Sequence, residues 1–434
     1  MRIEMPDVMK AALPILERLA EGGYEAVFVG GSVRDILLQR PITDVDIATS
    51  AQPDEVMRLF ERTVPTGIQH GTVTVLAGDR AYEVTTYRQE SAYENHRKPE
   101  SVSFISDLEG DLMRRDLTIN AIALRADGTV IDPFGGIRDL REGIVRCVGD
   151  ADARFDEDAL RMLRAVRFMA EFGFRCSPDT WEALLRRRSL LRHIAMERVR
   201  MELDKMIGGA SPGEAIAVLN ESGLLSYTKD PLEARFFGGD GDFRSGRAYG
   251  ALDRLQLPAD RWACLLLLHG AKAEEAERTL DALRFAGKRK DEIALMIRLH
   301  MDMTGEAERT GCFDEAADPA SERLRRLWVK LVVRHGTEAA ESWLRIVRAA
   351  NAAPYARAAD WLENCLRSMP VATLRELRLN GKELAAHLER RPGSWTGEWL
   401  NRLLIEAALG RIKNGKEELL AQADIWKAEE CAHE

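Results

Sequence analysis

The six cysteines of this chain (Cys147, Cys176, Cys264, Cys312, Cys365 and Cys431) are scattered, and no two form a Cys-x-x-Cys pair. That spacing argues against a zinc site and against a disulfide framework, and it suits a reducing compartment. Long apolar runs are missing too. The longest, around Ala263 to Leu268, is far too short to span a bilayer. Met1-Arg2-Ile3-Glu4 lacks the basic and apolar regions of a signal peptide, so a soluble, cytoplasmic protein with no membrane partner is expected. Positive charge is not in excess either: the formal net charge is −9, which excludes a globally basic nucleic-acid binder. A local basic stripe remains compatible with that balance. One candidate is Arg186-Arg187-Arg188 with Arg192, Arg198 and Arg200, for which a solvated helix face is the alternative. No fixed-period repeat or low-complexity tract is present.

What the chain does have is length and apolar content, 434 residues at 45% hydrophobic, enough for two to four domains with real cores. Residues 1–150 alternate between strand-like and helix-like runs. Strands are expected at Ala26–Val29, around Asp44-Val45-Asp46, at Gly71–Leu76, Ala81–Tyr87, Val102–Phe104, Ile122–Leu124, Val130–Ile131 and Val145–Cys147. From about Phe155 onward nearly every segment has helical spacing. Breaks are expected at Gly208-Gly209, Gly238 to Gly241, Gly305 to Gly311, Asn351 to Pro354 and Pro392-Gly393. The pattern describes an α/β (α+β) head around a mixed sheet, followed by an all-helical remainder.

The chemistry is concentrated in the head. In Gly30-Gly31-Ser32-Val33-Arg34-Asp35 a buried strand stops on two glycines and enters a helix, leaving backbone N–H groups open to an anion. Asp44 and Asp46 alternate around Val45, so on a strand both carboxylates share one face. Two adjacent carboxylates repel unless a cation shares them, and Mg²⁺ with phosphate oxygens is the usual one. Arg115, in Arg114-Arg115-Asp116-Leu117-Thr118-Ile119-Asn120-Ala121, fits a phosphate or ribose contact. Glu83, on an alternating strand, is either a further metal ligand or a plain surface glutamate.

A third constellation begins at Glu157-Asp158-Ala159-Leu160-Arg161 and continues through Arg164 and Arg167. On one continuous helix Asp158 and Arg161 are neighbours at i and i+3. The plain reading of such a pair is a surface ion pair. The chemical one is base recognition: the carboxylate accepts from the exocyclic amino group of cytosine or adenine while the guanidinium donates to the adjacent ring acceptor. Uracil and guanine present an oxygen there, and an acceptor–acceptor clash follows.

Taken in order, Gly-Gly-x-Val-Arg-Asp, Asp-x-Asp, Arg-Arg-Asp-x-Thr-x-Asn-Ala and Glu-Asp-x-x-Arg resemble the class II CCA-adding enzymes, the tRNA nucleotidyltransferases. The likeness covers residues 22–175 and includes Pro65-Thr66-Gly67, His70 to Val75 and Asp132-Pro133-Phe134-Gly135-Gly136. The tail, Leu379-Asn380-Gly381-Lys382 through Gly397-Glu398-Trp399-Leu400, is similar to the bacterial branch without a phosphohydrolase domain. The resemblance implies a nucleotidyltransferase head at 1–150, a base-selecting helical neck at 151–210, a helical body at 211–350 and a tRNA-binding helical tail at 351–434. It implies that Gly31 and Arg34 bind the triphosphate and that Asp44 and Asp46 are catalytic and hold Mg²⁺. Arg115 would contact the nucleotide, Asp158 and Arg161 would select the base, and Arg164 and Arg167 would complete the pocket. CTP, ATP and tRNA would be the partners; a homodimer is compatible with this, and the sequence does not fix the oligomeric state.

Three rivals share these motifs. Bacterial poly(A) polymerases resemble the same head but carry an Arg-rich element after Asp-x-Asp, where this chain has Arg62-Thr63-Val64-Pro65-Thr66-Gly67. A CC-only specialist lacks a flexible loop that Arg88 to Pro99, including Arg97 and Lys98, resembles intact; an A-only specialist stays open. A non-catalytic RNA-binding relative would have no use for an intact Asp44, Asp46, Arg115, Asp158 and Arg161.

Overall fold

The computed structural model describes residues 1–90, 93–94, 98–99, 102–232, 249–313 and 322–433. They fall into two compact units, Met1–Arg244 and Ser245–Glu434. In the first, Ala26–Val29 (β1) leads into the helix Gly31–Leu37 (α1) and the strand Asp46–Thr49 (β2). Thr63–Gly67 (β3), Thr72–Ala77 (β4), Arg80–Thr86 (β5), Ala123–Leu124 (β6) and Val130–Ile131 (β7) complete a seven-stranded sheet in the order β7-β6-β1-β2-β5-β4-β3. The pairing β2·β5 is parallel and the other five are antiparallel, so the sheet is mixed as expected. Val27, Val29, Ala48, Tyr87, Leu112, Ala121 and Ala123 form a buried cluster under its centre. That burial fixes the register, because a one-residue slip would turn these side chains outward.

Two short helices matter for the site. Leu108–Met113 (α2) starts where Asp107 accepts the Gly110 N–H at 2.9 Å, and it carries the chain to Arg114-Arg115. Ala151–Glu157 (α3) is capped in the same way by Asp150, which accepts from Ala153 N at 2.7 Å. The chain then runs through Leu160–Phe172 (α4) and Met196–Gly208 (α5). The strand signal does not quite vanish after Phe155: Arg175–Cys176 pairs in parallel with Ile144–Val145.

The second unit is helical throughout its described residues, and none of its helices or those of the first unit is long and apolar enough to cross a membrane. The break expected across Gly305 to Gly311 falls at the far end of that stretch. Gly287–Thr310 (α6) runs unbroken through Gly305 and stops only at Gly311, whose φ of +62° suits a left-handed C-cap. A lone glycine costs a helix about 1 kcal/mol, less than the packing of Leu299, Met303 and Ala307 in the unit's core supplies. The break near 208–209 falls where α5 ends at Gly208, those at 351–354 and 392–393 fall between helices as expected, and Gly238 to Gly241 lies outside the described residues.

Candidate active site

The end of β1 is where only glycine fits. Gly30 has φ +71°, and a Cβ there would stand 3.3 Å from Asp46 Oδ2 and 3.4 Å from Arg115 Nη1. Three motifs separated by up to 85 residues of sequence therefore meet around one backbone position. Gly31 opens α1 without a positive φ, and a Cβ on it would touch nothing closer than Arg34 Nη2 at 3.5 Å. The next residue is spoken for: Ser32 Oγ donates to Val29 O at 3.1 Å and ties the helix start to the strand.

The strand expected to carry both aspartates begins only at Asp46. Asp44 precedes it in an exposed, irregular stretch, where the Thr43 hydroxyl donates to Asp44 Oδ2 at 3.3 Å. Asp46 pairs across β1 with Val29 and across β5 with Glu83, so the two carboxyl-bearing residues stand side by side in register. Burial pushes the Asp46 carboxyl above its usual range, and the Glu83 and Asp44 charges push the same way against Arg115 and Arg34. A carboxylate in that condition carries uncompensated negative charge, which a hard cation would relieve. Asp46, Glu83, Thr72, Thr85, Arg88 and Arg115 border a cavity of about 220 Å³.

Arg115 is anchored by Asp111, which accepts from its Nη2 at 3.1 Å and from Arg114 Nε and Nη2 at 2.9 and 2.7 Å. Burial alone would raise the Asp111 carboxyl, but the two guanidiniums outweigh it and hold it below the usual range. One donor of Arg115 stays unmet: its Nε is buried with no hydrogen-bond partner among the described residues. Such an orphan costs about 1–3 kcal/mol until an acceptor arrives.

The neck residues are arranged differently from the expectation. The helix does not run continuously through Asp158, which is extended (φ −138°, ψ 104°) between α3 and α4. Its side chain accepts from Leu160 N at 3.1 Å, the local competition with helix that aspartate favours. Asp158 and Arg161 therefore form no i, i+3 helical pair. Asp158 is instead held by a two-bond fork from Arg198 on α5, Nη1 to Oδ1 at 3.2 Å and Nη2 to Oδ2 at 2.8 Å. Arg161 is buried and donates to Glu157 Oε2 at 2.5 Å and to the carbonyls of Arg154 and Arg114 at 3.2 and 2.8 Å.

Arg34, expected at the triphosphate, makes these contacts within the described residues. It is buried, donates to Asn120 Oδ1 at 2.7 Å and to Asp35 at 2.9 and 3.0 Å, and lies against the rings of Phe168 and Phe172 at 5.1 and 4.9 Å. It braces the glycine turn against α4 from beneath. Arg164 braces the other side: its Nε donates to Asp116 Oδ2 at 2.6 Å, and Asn120 Nδ2 donates to Asp116 Oδ1 at 3.1 Å. Burial works against the Asp116 charge, yet Arg164 and Asn120 hold its carboxyl well below the usual range. Arg167 donates to Glu202 and Glu171, each at 2.8 Å, with Phe168 4.0 Å beneath it. The arginine run after Thr180 is mostly paired: Arg186 and Arg187 with Asp152, Arg188 over Tyr227. Arg97 lies outside the described residues, and only the backbone of Lys98 is described.

A sheet-borne carboxylate beside a glycine turn, with a half-buried arginine across from it, places the first unit among nucleotidyltransferases. Residues 26–146 match the family model described as the poly(A) polymerase head domain, and residues 254–423 match that of a tRNA nucleotidyltransferase domain 2. The curated CCA-adding enzyme of Geobacillus thermodenitrificans is 40% identical over 418 residues, 96% of this chain and 97% of that one. That of Bacillus subtilis is 38% identical over 96% of this chain and 98% of its own. The chain belongs to the CCA-adding enzyme family. Among solved structures, the Bacillus stearothermophilus CCA-adding enzyme in complex with CTP superposes with a TM-score of 0.83 at 36% identity, covering 99% of this chain and all of that one. The Thermotoga maritima CCA-adding enzyme complexed with tRNA shares the fold at a TM-score of 0.66 and 20% identity, covering 97% of this chain and 95% of that one.

Proposed function

We infer that this protein adds C, C and A to the 3′ end of tRNA from CTP and ATP without a nucleic-acid template. The observation that carries the reading is the meeting of Gly30, Asp46, Glu83 and Arg115 at one end of the sheet. The terminal 3′-hydroxyl attacks the α-phosphorus in line, a new P–O bond forms, the α–β bridge breaks and pyrophosphate leaves. Asp44 and Asp46 would hold Mg²⁺, with Glu83 the next oxygen donor along the sheet. Among the described residues no three such side chains already stand as a ligand group, so nucleotide oxygens would complete the shell. An ion held by these carboxylates would supply the charge that lowers the hydroxyl pKa and offsets charge on the leaving oxygens.

The chain's own part is positional. Gly30 lets the backbone approach without a side chain in the way, Gly31 offers its N–H to the triphosphate, and Arg115 turns its unmet Nε to a phosphate oxygen. Arg34 acts by bracing the turn rather than by direct contact. Asp158 retains a free acceptor site, since an ionised carboxylate offers about four lone-pair sites and three hydrogen bonds reach it. It would take the amino group of C or A there. Arg161 would exchange a bond to Glu157 for the neighbouring ring acceptor, with Arg164 and Arg167 closing the pocket. On this reading residues 1–150 carry the chemistry, 151–210 read the base, and 211–350 and 351–434 hold the tRNA, in the cytoplasm. Pyrophosphate release from CTP in the presence of tRNA lacking its 3′ end tests it. Absence of release at every Mg²⁺ concentration would leave a non-catalytic RNA-binding protein instead.

A further inference from the structure

The helix Glu322–His335 (α7) of the second unit is amphipathic in an unusual way. Leu324, Leu327, Trp328, Leu331 and Val332 bury one side of it in a core shared with Leu299 and Met303 of α6. Arg323, Arg326, Lys330 and Arg334 then fall within one narrow stripe, at spacings of three, four and four residues. Each four-residue step advances about 6 Å along the axis, close to the separation of successive backbone phosphates.

The stripe forms one wall of a groove of about 470 Å³, and α6 supplies Arg309 and Glu306 on the other. Three of the five cations touch a carboxylate: Arg309 pairs with Glu306, Arg334 with Asp302 at 2.9 Å and Arg326 with Glu406 at 3.8 Å. Arg323 and Lys330 have no ion-pair partner among the described residues, and both are exposed. The whole chain carries a net −9, so a groove with surplus positive charge runs against the background. Leu327 and Leu331, nearly buried, make its floor and keep the stripe from collapsing inward.

From this charge and spacing we propose that the α6–α7 groove is a docking track for the sugar–phosphate backbone of the tRNA substrate. Its elongation along the helix suits a polyanion rather than a single small anion. The track rests on the function inferred above and adds to it the surface on which the RNA is held. Binding there sets affinity and salt dependence, and it leaves the bond-making residues of the first unit untouched.

The test is filter binding of the full chain to tRNA lacking its 3′ CCA over a series of salt concentrations, together with steady-state addition kinetics. Arg323→Gln with Lys330→Gln is expected to weaken binding about tenfold near physiological salt. It should also reduce the slope of log affinity against log salt by about 2, one for each phosphate that is no longer neutralised. KM for tRNA should rise in step, with kcat and KM for CTP unchanged. The charge-keeping exchange Arg323→Lys with Lys330→Arg should retain wild-type affinity, which separates charge from packing. Unchanged affinity and slope in the Gln variant would overturn the track. Binding by a wild-type protein that adds no nucleotide would overturn the function instead, so the two failures are told apart.

Discussion

Arg198 forks onto Asp158 from a helix 40 residues further along the chain, with one guanidinium Nη on each carboxylate oxygen. The fork fixes the carboxylate plane while leaving one acceptor site open, so on the proposed base-reading role of Asp158, Arg198 would be its positioning residue. Arg198→Ala should lower the preference for CTP over UTP by about tenfold, the worth of one charge-assisted hydrogen bond. Arg198→Lys should restore part of it. Competition assays with all four triphosphates read the ratio directly. A variant that loses rate but keeps the wild-type ratio would remove Arg198 from base selection.

On the proposed reading, replacing Asp158 itself by Ala would remove the acceptor for the amino group of C and A. UTP and GTP should then be used relatively better, by roughly ten- to a hundredfold in the ratio, as the overall rate falls. An unchanged CTP-to-UTP ratio would move base reading elsewhere on the neck.

The two glycines of the first motif should behave differently. Gly30→Ala places a methyl group 3.3 Å from Asp46 Oδ2 at a φ of +71°, whereas Gly31→Ala meets nothing within 3.4 Å. Gly30→Ala should lose activity at least a hundredfold with its circular dichroism intact, and Gly31→Ala should lose much less, since an alanine keeps the N–H. Equal losses would show that the turn matters only as a turn.

Much of this is legible in the sequence, and the exceptions share a cause. The sheet, the glycine turn and the Arg-Arg-Asp motif are written in local patterns of burial and turn chemistry. The helical spacing from Glu157 to Phe168 predicts a helix through Asp158, and only the competition of its own side chain for Leu160 N breaks the run. The sequence does hold a signal, an aspartate two residues before a strongly helical stretch, but it is indistinguishable from a first-turn acid. An arginine in a glycine turn reads as a triphosphate ligand, and what the sequence does not show is how Arg34 is held. Its partners Asn120, Phe168 and Phe172 lie 86 to 138 positions away and are brought to it only by the fold. Arg198 stands in the sequence only as one member of a charge run, for the same reason.

The ion pair between Asp116 and Arg164 gives a pH signature. The folded carboxyl titrates below its ordinary range, so its contribution to stability is fully present above the unfolded value of about 4 and is lost as pH falls toward the depressed folded value. Asp116→Asn should destabilise the first unit by about 2 kcal/mol at neutral pH, discounted for the partial exposure of Arg164. It should also flatten the loss of stability between about pH 4 and pH 2. Urea midpoints across that range measure both. A variant with the same acid slope as wild type would show that the pair does not set it.

The most direct measurement of the central claim is the sequence of the 3′ end made on a tRNA that stops before its CCA. Wild-type protein should add two C residues with CTP alone, none with ATP alone, and CCA with both. Asp44→Ala and Asp46→Ala should add nothing under any of these conditions while binding the tRNA as tightly as wild type. A run of A residues, a single A added only to a tRNA already ending in CC, or rates within a few-fold of wild type in either Asp variant would contradict the account.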